Sequence, residues 1–559
     1  MRIVMASVAT LLVVGGAAGC TAPEPEPFDL IIRGGRIIDG TRAPAYQADV
    51  GIRESLIAEI GDLSGRTAAR IIDAEGATVT PGFIDMMGGS SLPLLLDPIT
   101  AESKLRQGIT TMMAGEGGSL APQDDRTMEE LTRATARGLR WRTFAEYFDQ
   151  LEANGVALNV VHNVGAAQVR RIVLGDEQID PTPEQLEEMK QLVDQAMRDG
   201  AVGLSTALIY PPGTYASTEE IIELAKVAAQ YGGIYVSHMR NESSGVLEAI
   251  DEVIRIGTEA GLKAHIYHLK AAGQENWPLM EQALARIRSA REQGTELTAD
   301  VYPYIRNGIG LGSFLHPRHY AKGEEAFRAT LGDPAIRRTL REEVEGTSDW
   351  ENWYRHVGHD WDNVLISRVG PDTDPAFVGL SVQGVAERRG VEAWEAFFDL
   401  VEAGGVGVNP KSMDENQKHL AMRADFVCFD NDAAPTNPNA VASSHPRAFG
   451  AFPRILAKYV REEQVISLEE AIYGLAALPA DILGLDRRGT IEPDQIADLV
   501  VFDPETVADT ATFTDPLSYA VGFDHVIVRG QLVIDDERVT GARPGEVIRF
   551  NPQLRAVPQ

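Results

Sequence analysis

The hydrophobic positions of the central region, residues 84–484, alternate between two patterns. Short apolar runs typical of buried strands end at polar or reactive residues, as in GAVGLST, GIYVSHMRNES, KAHIYHLKAAG, ELTADVYPY and DFVCFDND. Between them lie stretches with apolar residues at three- and four-residue spacing that end at glycine, such as PEQLEEMKQLVDQAMRDG and TEEIIELAKVAAQYG. Repeated strand-then-helix units over this length predict an α/β fold, a TIM-like (β/α)8 barrel.

Both ends of the chain have a different texture, with short β-branched runs and few helical periods. DLIIRGGRIIDG, which begins at Asp29, reads as a hairpin around two glycines, and ADLVVFDP and DHVIVRGQLVIDD repeat this texture near the other end. We therefore expect residues 29–83 and 485–559 to form one small β domain.

One stretch inside the barrel region, residues 308–362, follows neither period. It contains Trp350, Trp353 and Trp361 among many charges, without a clear strand pattern. We interpret it as an insertion over the barrel mouth and as a candidate lid.

The N-terminus has the features of an export signal. Met1 and Arg2 precede an apolar run, and small residues lead to Cys20, an arrangement that resembles a bacterial lipoprotein processing site. We expect a signal peptide over 1–19, lipidation of Cys20, a stiff tether over 20–28 and a periplasmic, membrane-anchored protein. The alternative is an ordinary cleaved signal with an incidental cysteine.

The net charge of the chain excludes one class of binding partner, the polyanions. The chain carries 51 Lys and Arg against 82 Asp and Glu, a formal charge of −31. Such a field repels polyanions, so we exclude nucleic acid as a partner and expect membrane contact only through the lipid anchor.

Two histidines end neighbouring strand-like runs. His238 and His268 lie 30 residues apart, about one barrel unit, so both are expected at the same end of the barrel. Either alone is more often a structural residue, but the pair at matching strand ends favours imidazole ligation of a metal ion.

Two carboxylates follow other apolar runs. Asp432 ends a late strand and is the best candidate for a residue that moves a proton, although an Asp there also caps a helix or turn, and Asp430 competes for the role. Glu116 sits between glycines that let the backbone approach a ligand, or that form a plain anion-binding turn.

Several motifs occur together in a characteristic order. They are PGFID, QGITTMMAGEGGSLAP, GLSTALIYPPGTYAS, SHMRNES, YHLKAAG, DVYPY, SHPRAFGAFPRIL and LPADILGLDRRGTI. From about Asp29 to Phe550 the chain resembles the N-acyl-D-amino-acid deacylases (D-aminoacylases) of the amidohydrolase superfamily.

This resemblance implies a fold, a cofactor and roles for single residues. It implies a TIM-like barrel with a small β-sandwich from both termini, a zinc ion, and hydrolysis of N-acyl-D-amino acids or related acylated peptides. His238 and His268 match the zinc ligands and Asp432 the catalytic acid and base. Lys270 and Tyr302 match the groups that hold the substrate carboxylate.

The chain departs from the family pattern at two places. Met87 and Gly89 stand where His-x-His is usual, so we expect one metal ion only. Gly117 stands where a zinc-binding Cys is usual, and we expect the neighbouring Glu116 to be the third ligand. Two His and one Glu with an open position are a known catalytic zinc site.

Other interpretations stay open beside this one. Lys270 is equally well a solvent-facing lysine and Tyr302 a packed wall residue, while Arg306 is a candidate for reading an acidic substrate side chain. We interpret the loop 445–447, near the pocket entrance, as a structural turn. The chain is alternatively a catalytically altered lipoprotein that binds peptidic ligands, or a hydrolase of dipeptides, cyclic amides or lactones.

Overall fold

The structure is a computed structural model that describes residues 26–346, 350–441 and 444–550. The predicted signal peptide, Cys20 and most of the tether lie outside the described residues. Within the described residues, no helix has both the length and the apolar character needed to cross a bilayer.

Twenty strands occur among the described residues. They are β1 Phe28–Ile37, β2 Tyr46–Arg53, β3 Leu56–Gly61, β4 Ala68–Asp73, β5 Thr78–Pro81, β6 Phe83–Asp85, β7 Ile109–Ala114, β8 Asn159–Gly165, β9 Gly203–Ala207, β10 Ile234–His238, β11 Lys263–Ile266, β12 Leu297–Val301, β13 Ile309–Gly310, β14 Val364–Arg368, β15 Gly407–Pro410, β16 Val427–Phe429, β17 Leu499–Phe502, β18 Phe523–Val528, β19 Gln531–Asp535 and β20 Arg538–Val539.

Eighteen α-helices occur in the same part of the chain. They are α1 Leu92–Leu96, α2 Glu102–Leu105, α3 Asp125–Thr135, α4 Phe144–Asn154, α5 Ala166–Leu174, α6 Pro183–Asp199, α7 Thr218–Ala229, α8 Val246–Ala260, α9 Leu279–Glu292, α10 Glu324–Arg328, α11 Pro334–Gly346, α12 Trp353–His356, α13 Val382–Arg389, α14 Ala393–Ala403, α15 Glu415–Met422, α16 Arg447–Arg454, α17 Leu468–Ile472 and α18 Leu478–Leu483. Two π-helical segments, Ile455–Glu462 and Tyr473–Ala477, extend α16 and α17.

The predicted barrel is confirmed. Eight strands lie side by side in the order β6-β7-β8-β9-β10-β11-β12-β16, and every neighbouring pair is parallel. The two end strands approach each other, because the Asn431 N–H after β16 donates to Asp85 Oδ1 of β6 over 3.1 Å. All carboxyl ends of the strands therefore meet at one mouth.

Local sequence explains the outer helices. In α6, Thr182 forms a capping box with Gln185, and Gly200 ends the helix in a left-handed conformation with φ 114°. Met189 and Val193 on its inner face are fully buried, and each such side chain contributes about 1.5–3 kcal/mol by leaving water.

A second sheet takes its strands from both ends of the chain. Its order is β20-β19-β18-β17-β5-β1-β2-β3, with β4 also paired to β1. Val79 of β5 pairs with Val501 of β17, and this pairing joins the N-terminal and C-terminal segments in one sheet. The segment 545–550 then continues along the barrel, where Val547 forms a bridge with Val160 and the Phe550 N–H donates to the Gly200 carbonyl over 3.0 Å.

The hairpin predicted around Gly34 and Gly35 is wrong. β1 runs through both glycines as one strand with an irregular register against β2. Gly34 has φ 68°, and its N–H donates to Asp49 Oδ1 over 2.7 Å, so the glycines form a bulge. The bulge lets β1 pair with β4 before it and with β5 after it.

The inserted region has a hydrophobic core of its own. A three-stranded sheet in the order β13-β15-β14 packs with surrounding helices, and its core runs from Leu311 to Val408. This core reaches beyond the range 308–362 indicated by the sequence, because α13, α14 and β15 belong to it. Its action as a lid stays a prediction.

Candidate metal centre

Three predicted ligands meet at the barrel mouth. Glu116 Oε1 lies 2.9 Å from His238 Nδ1 and 3.2 Å from His268 Nε2, and the two imidazole centroids are 4.5 Å apart. Glu116 follows β7, His238 ends β10 and His268 follows β11. One carboxylate oxygen therefore faces one nitrogen of each ring.

This donor set fits a single divalent ion. The three ligand atoms lie within 4.8 Å of one another, and both histidines are buried. Burial raises the pKa of Glu116, but hydrogen bonds from His238 and His268 lower it to about 2, so the carboxylate is charged at neutral pH. Two imidazoles and a carboxylate are donors that zinc accepts.

Glu242 supports both rings from their other side. Its carboxylate lies 3.0 Å from His268 Nδ1 and 3.5 Å from His238 Nε2. Burial and Lys270 lower the pKa of His268, but Glu242 and Glu116 raise it to about 9. A carboxylate behind a metal-binding histidine fixes the orientation of the ring. The sequence analysis did not identify Glu242, although it lies within the quoted motif SHMRNES.

Lys270 is buried beside these groups. Its Nζ donates to Glu242 Oε1 over 2.6 Å and lies 2.7 Å from His268 Nδ1. The Lys270 ammonium is thus within the polar network of the site and not on the solvent-facing surface.

Asp432 forms an ion pair with Arg447 near these groups. Arg447 Nη1 forms an ion pair with Asp432 Oδ2, and both side chains are largely buried. Burial raises the pKa of Asp432, although Arg447 and His268 act against this shift. Asp432 has φ 44°, a left-handed conformation that is uncommon outside glycine. A carboxylate with a raised pKa beside the ligands is suited to proton transfer.

Tyr302 is surrounded by cationic side chains. Lys418 Nζ lies 4.5 Å from the centre of its ring, the Arg447 guanidinium 4.8 Å and Lys270 Nζ 5.9 Å. Burial lowers the pKa of Lys418 to about 7. Lys418 was not predicted from the sequence. The loop 445–447, which carries Arg447, was expected to be a structural turn.

Asp430 belongs to a separate buried cluster. Burial and the neighbouring Asp300 raise the pKa of Asp430 well above its usual range. Asp300 itself accepts the His268 N–H and lies 3.0 Å from His265 Nε2. The pKa of Asp430 is thus raised further than that of Asp432, so Asp432 is charged more readily.

Among the described residues, the positions where the resemblance expects His-x-His carry neither imidazole nor carboxylate. Met87 is buried and apolar, and a Cβ at Gly89 would lie 2.9 Å from the Ala434 nitrogen. Lys104 Nζ donates to Asp85 Oδ2 over 2.6 Å and to Asn431 Oδ1 over 2.7 Å. An ammonium group therefore already satisfies the nearby oxygens.

The interpretation of Arg306 is not supported by its position. Its Nη1 donates to the backbone carbonyls of Asn363 and Asn409 over 2.8 and 2.9 Å, and its guanidinium lies over Phe513. Beyond Tyr302 the chain turns toward the insertion, which takes Arg306 away from the ligands. Arg447 is the arginine at the site.

His445 has the structural role that was favoured for its loop. Its Nε2 lies 3.1 Å from the Arg306 carbonyl, and its Nδ1 accepts the Arg447 N–H over 3.0 Å. Burial holds the pKa of His445 well below its ordinary value, so the ring is neutral. The turn places Arg447 against Asp432.

This chain is similar to known proteins over most of its length. Residues 387–534 match the model of the Amidohydrolase family. The chain is 34% identical to an N-acyl-D-glutamate deacylase of Alcaligenes xylosoxydans xylosoxydans, over 96% of this chain and 99% of that protein. It is 33% identical to a D-aminoacylase of the same organism, over 94% and 98%.

Two solved structures share the whole architecture. An N-acyl-D-glutamate deacylase from Bordetella bronchiseptica, complexed with zinc and a phosphonate mimic of the tetrahedral intermediate, superposes with a TM-score of 0.79 at 33% identity. A D-aminoacylase structure described as having a binuclear metal centre, with one-metal activation and second-metal attenuation, gives 0.78 at 32%. Each covers 94% of this chain and 100% of its own.

Proposed function

This chain belongs to the N-acyl-D-amino-acid deacylase (D-aminoacylase) family of amidohydrolases, and on that premise we propose that it hydrolyses the amide bond of N-acyl-D-amino acids with one zinc ion. The observation that carries this proposal is the placement of Glu116 Oε1 between His238 Nδ1 and His268 Nε2. The relatives named above act on such amides, and the donor set for the reaction is present here. A binding protein without turnover is not favoured for the same reasons.

Zinc would be held by Glu116, His238 and His268. When bound, it would supply the Lewis acidity that polarises an amide carbonyl and lets a water molecule ionise near neutral pH. Glu242 holds the two imidazoles in position through their outer nitrogens.

Asp432 performs the proton transfers. It accepts a proton from the attacking water and later donates it to the nitrogen of the leaving amino acid, for which its raised pKa is favourable. Arg447 and Tyr302 bind the α-carboxylate of the substrate, because a guanidinium forms paired hydrogen bonds with a carboxylate and the Tyr302 hydroxyl donates a further one. Lys270 adds positive charge from behind.

One zinc ion is expected because the second position lacks ligands among the described residues. Lys104 satisfies Asp85 and Asn431, and neither Met87 nor Gly89 offers a metal donor. The second-metal attenuation described for D-aminoacylase is therefore not expected for this chain.

The test combines metal analysis with a substrate screen. Protein beginning after Cys20 is purified and assayed against N-acetyl-D- and N-acetyl-L-amino acids, with zinc measured in the same sample. We expect about one zinc per chain and turnover of D-substrates only. Turnover of L-substrates alone, or D-turnover that survives complete removal of metal, would contradict the proposal.

We further propose that residues 1–19 direct export and that lipidation of Cys20 anchors the protein at the periplasmic face of a membrane. The Met1-Arg2 start, the apolar run and the small residues before Cys20 support this proposal. Metabolic labelling with a fatty acid should mark the wild-type chain and not Cys20→Ser. Equal labelling of both chains would reject the lipid anchor.

A further inference from the structure

A buried ammonium group contacts both chain neighbours of Asp432. Lys104 belongs to the short helix α2, and its side chain is fully buried. Its Nζ donates to Asp85 Oδ2 over 2.6 Å, to Asn431 Oδ1 over 2.7 Å and to the Ala433 carbonyl over 2.6 Å. An ammonium group has three hydrogen-bond donors, so Lys104 uses all of them inside the protein.

The two residues that flank Asp432 are also bonded to each other and to Asp85. The Asn431 N–H donates to Asp85 Oδ1 over 3.1 Å, and the Ala433 N–H donates to Asn431 Oδ1 over 3.1 Å. The Asn431 side-chain oxygen therefore accepts from both the Ala433 N–H and the Lys104 ammonium. Asp432 lies between two residues whose positions are fixed by these contacts.

The backbone of Asp432 needs such support. Its φ of 44° is a left-handed conformation, which is costly for a residue with a Cβ and persists only where the surrounding structure enforces it. The Asp432 side chain is 15% exposed, whereas those of Lys104 and Asp85 are fully buried. A partly exposed carboxylate is thus held by a pair that water does not reach.

We propose that Lys104 is a positioning residue for the reaction, which together with Asp85 holds the turn 431–433 so that the Asp432 carboxylate stays in its proton-transfer position. This inference rests on the proposed function, in which Asp432 moves the proton. Lys104 does not bind the substrate, since its three donors are occupied. It acts through the residues on either side of Asp432.

The chain that follows Lys104 also contacts the helix that carries Arg447. Gln107 Nε2 donates to the Ala448 carbonyl over 2.9 Å, in the first turn of α16. Arg447 is the preceding residue, and it forms the ion pair with Asp432. One short segment therefore contacts the elements that carry both members of this ion pair.

A purely structural role of Lys104 leads to a different expectation. Burial lowers the pKa of Lys104 and the Asp85 carboxylate acts against this shift, so removal of either partner leaves an uncompensated buried group, which is destabilising. Such a variant would contain less folded protein, but its folded molecules would keep their kcat. Displacement of Asp432 would instead lower the kcat of folded molecules, because an error of about 1 Å in the position of a reacting group costs about 100-fold.

The first experiment compares Lys104→Met with Arg170→Met, with kcat expressed per folded, zinc-containing chain. Arg170 also forms a buried ion pair, with Glu220, and none of its contacts among the described residues involves the turn 431–433. We expect kcat for the best N-acetyl-D-amino acid to fall about 100-fold in Lys104→Met, with KM changed less than about threefold and zinc content unchanged. In Arg170→Met, kcat should change less than about twofold.

The outcomes of this comparison separate the two proposals. An unchanged kcat in Lys104→Met, or an equal loss in Arg170→Met, would overturn the inference and leave the deacylase intact. Absence of D-turnover in zinc-loaded wild-type protein would remove the proposed function, and the inference with it.

The second experiment tests whether Lys104 acts through Asp432. In the Asp432→Asn background the proton-transfer group is already lost, so its position no longer affects the rate. Lys104→Met should therefore lower kcat less than about threefold in this background, compared with about 100-fold in the wild type. The same loss in both backgrounds would show that Lys104 supports another part of the site, and would overturn the assignment.

A double variant covers the case in which Lys104→Met does not fold. Lys104→Met combined with Asp85→Asn removes both charges of the pair, so no uncompensated carboxylate stays buried. The amide oxygen at position 85 can still accept the Asn431 N–H, whereas both contacts from Lys104 to the turn are lost. We again expect a loss of kcat of about 100-fold. A folded double variant with the kcat of the wild type would overturn the inference.

Discussion

Two parts of the barrel mouth beside the candidate metal centre differ in construction. The anion half, after β11, β12 and β16, carries Lys270, Tyr302, Asp432 and Arg447, and the cavity half, after β7, β8, β9 and β10, opens into a cavity. In the anion half, Arg447 and Lys418 both lie over the Tyr302 ring, and all three side chains are buried. In the cavity half, barrel loops and the insertion leave a space of about 1170 Å³. One part of the mouth is thus filled by buried cationic and aromatic side chains, and the other leaves open space beside the same candidate ligands.

The largest effect is expected when the proton-transfer group of the anion half, Asp432, is replaced. Asp432→Asn keeps the shape but cannot accept a proton, so we expect kcat to fall about 10²–10⁴-fold with zinc content unchanged. Asp430→Asn is the matched control, because the raised pKa of Asp430 already favours its neutral form. Equal losses in both variants, or loss of zinc from Asp432→Asn, would contradict this assignment.

The next effect concerns carboxylate recognition. Arg447→Met removes the guanidinium, and hydrogen bonds to charged groups contribute about 1.5–3 kcal/mol, so kcat/KM for an N-acetyl-D-amino acid should fall up to about 100-fold. The amide of the same substrate lacks the anion, so it should lose only the smaller part of the effect that comes from breaking the Asp432–Arg447 ion pair. Arg306→Met serves as control, since Arg306 contacts backbone carbonyls of the insertion. A selective loss of the acid substrate in Arg306→Met would reverse the two roles.

A third substitution tests whether the Glu242 carboxylate, which lies behind His238 and His268, is needed to hold them as metal ligands. Glu242→Gln weakens the contacts behind His238 and His268 and leaves Lys270 without its charged partner. Loss of such supporting groups typically costs about 10–100-fold in metal affinity, which competition with a chelator measures. Glu351→Gln keeps a side-chain oxygen that can accept the Glu242 backbone N–H, so this variant should retain metal affinity. Unchanged affinity in Glu242→Gln would show that the ligands need no such support.

The smallest expected effect is a pH dependence of stability from the cavity half. Burial and the Glu242 carboxylate raise the pKa of Glu351 to about 8 from its ordinary 4.5. The folded protein therefore holds a proton that the unfolded chain has lost, so stability decreases as pH rises from about 4.5 to about 8.

Glu351→Gln has no titrating group at this position. The unfolding temperature of the metal-free wild type should fall between pH 5 and pH 8, and that fall should be about 2–4 °C smaller in the variant. Parallel pH profiles of the two proteins would show that Glu351 is already charged at neutral pH.

The sequence predicted the parts of the site that depend on strand ends. His238 and His268 follow apolar runs of adjacent barrel units, so their meeting at one mouth follows from the barrel itself. Glu116 was expected because a thiolate was missing from its loop. Their convergence in space agrees with the prediction, while their ligation of zinc is the proposal to be tested.

Long-range contacts explain what the sequence did not predict. Arg447 reaches Asp432 only because His445 folds the loop back, and no local period encodes that turn. Arg306 bonds to the backbone carbonyls of Asn363 and Asn409, contacts that lie about 60 and 100 residues away in the sequence, and its contact with substrate stays a prediction. The extent of the insertion was underestimated because its helices α13 and α14 resemble barrel helices in sequence.

The sheet that joins both ends of the chain has a consequence for biosynthesis. When a ribosome has made residues up to 498, β5 still lacks β17, and the partners of Val160 and Gly200 near residue 550 do not exist. Translation adds about 5–20 residues per second, so these edges stay open for several seconds after the barrel strands have emerged. The chain therefore exposes unpaired strand edges, which are sites of aggregation, from the time its barrel strands form until residues 499–550 pair with them.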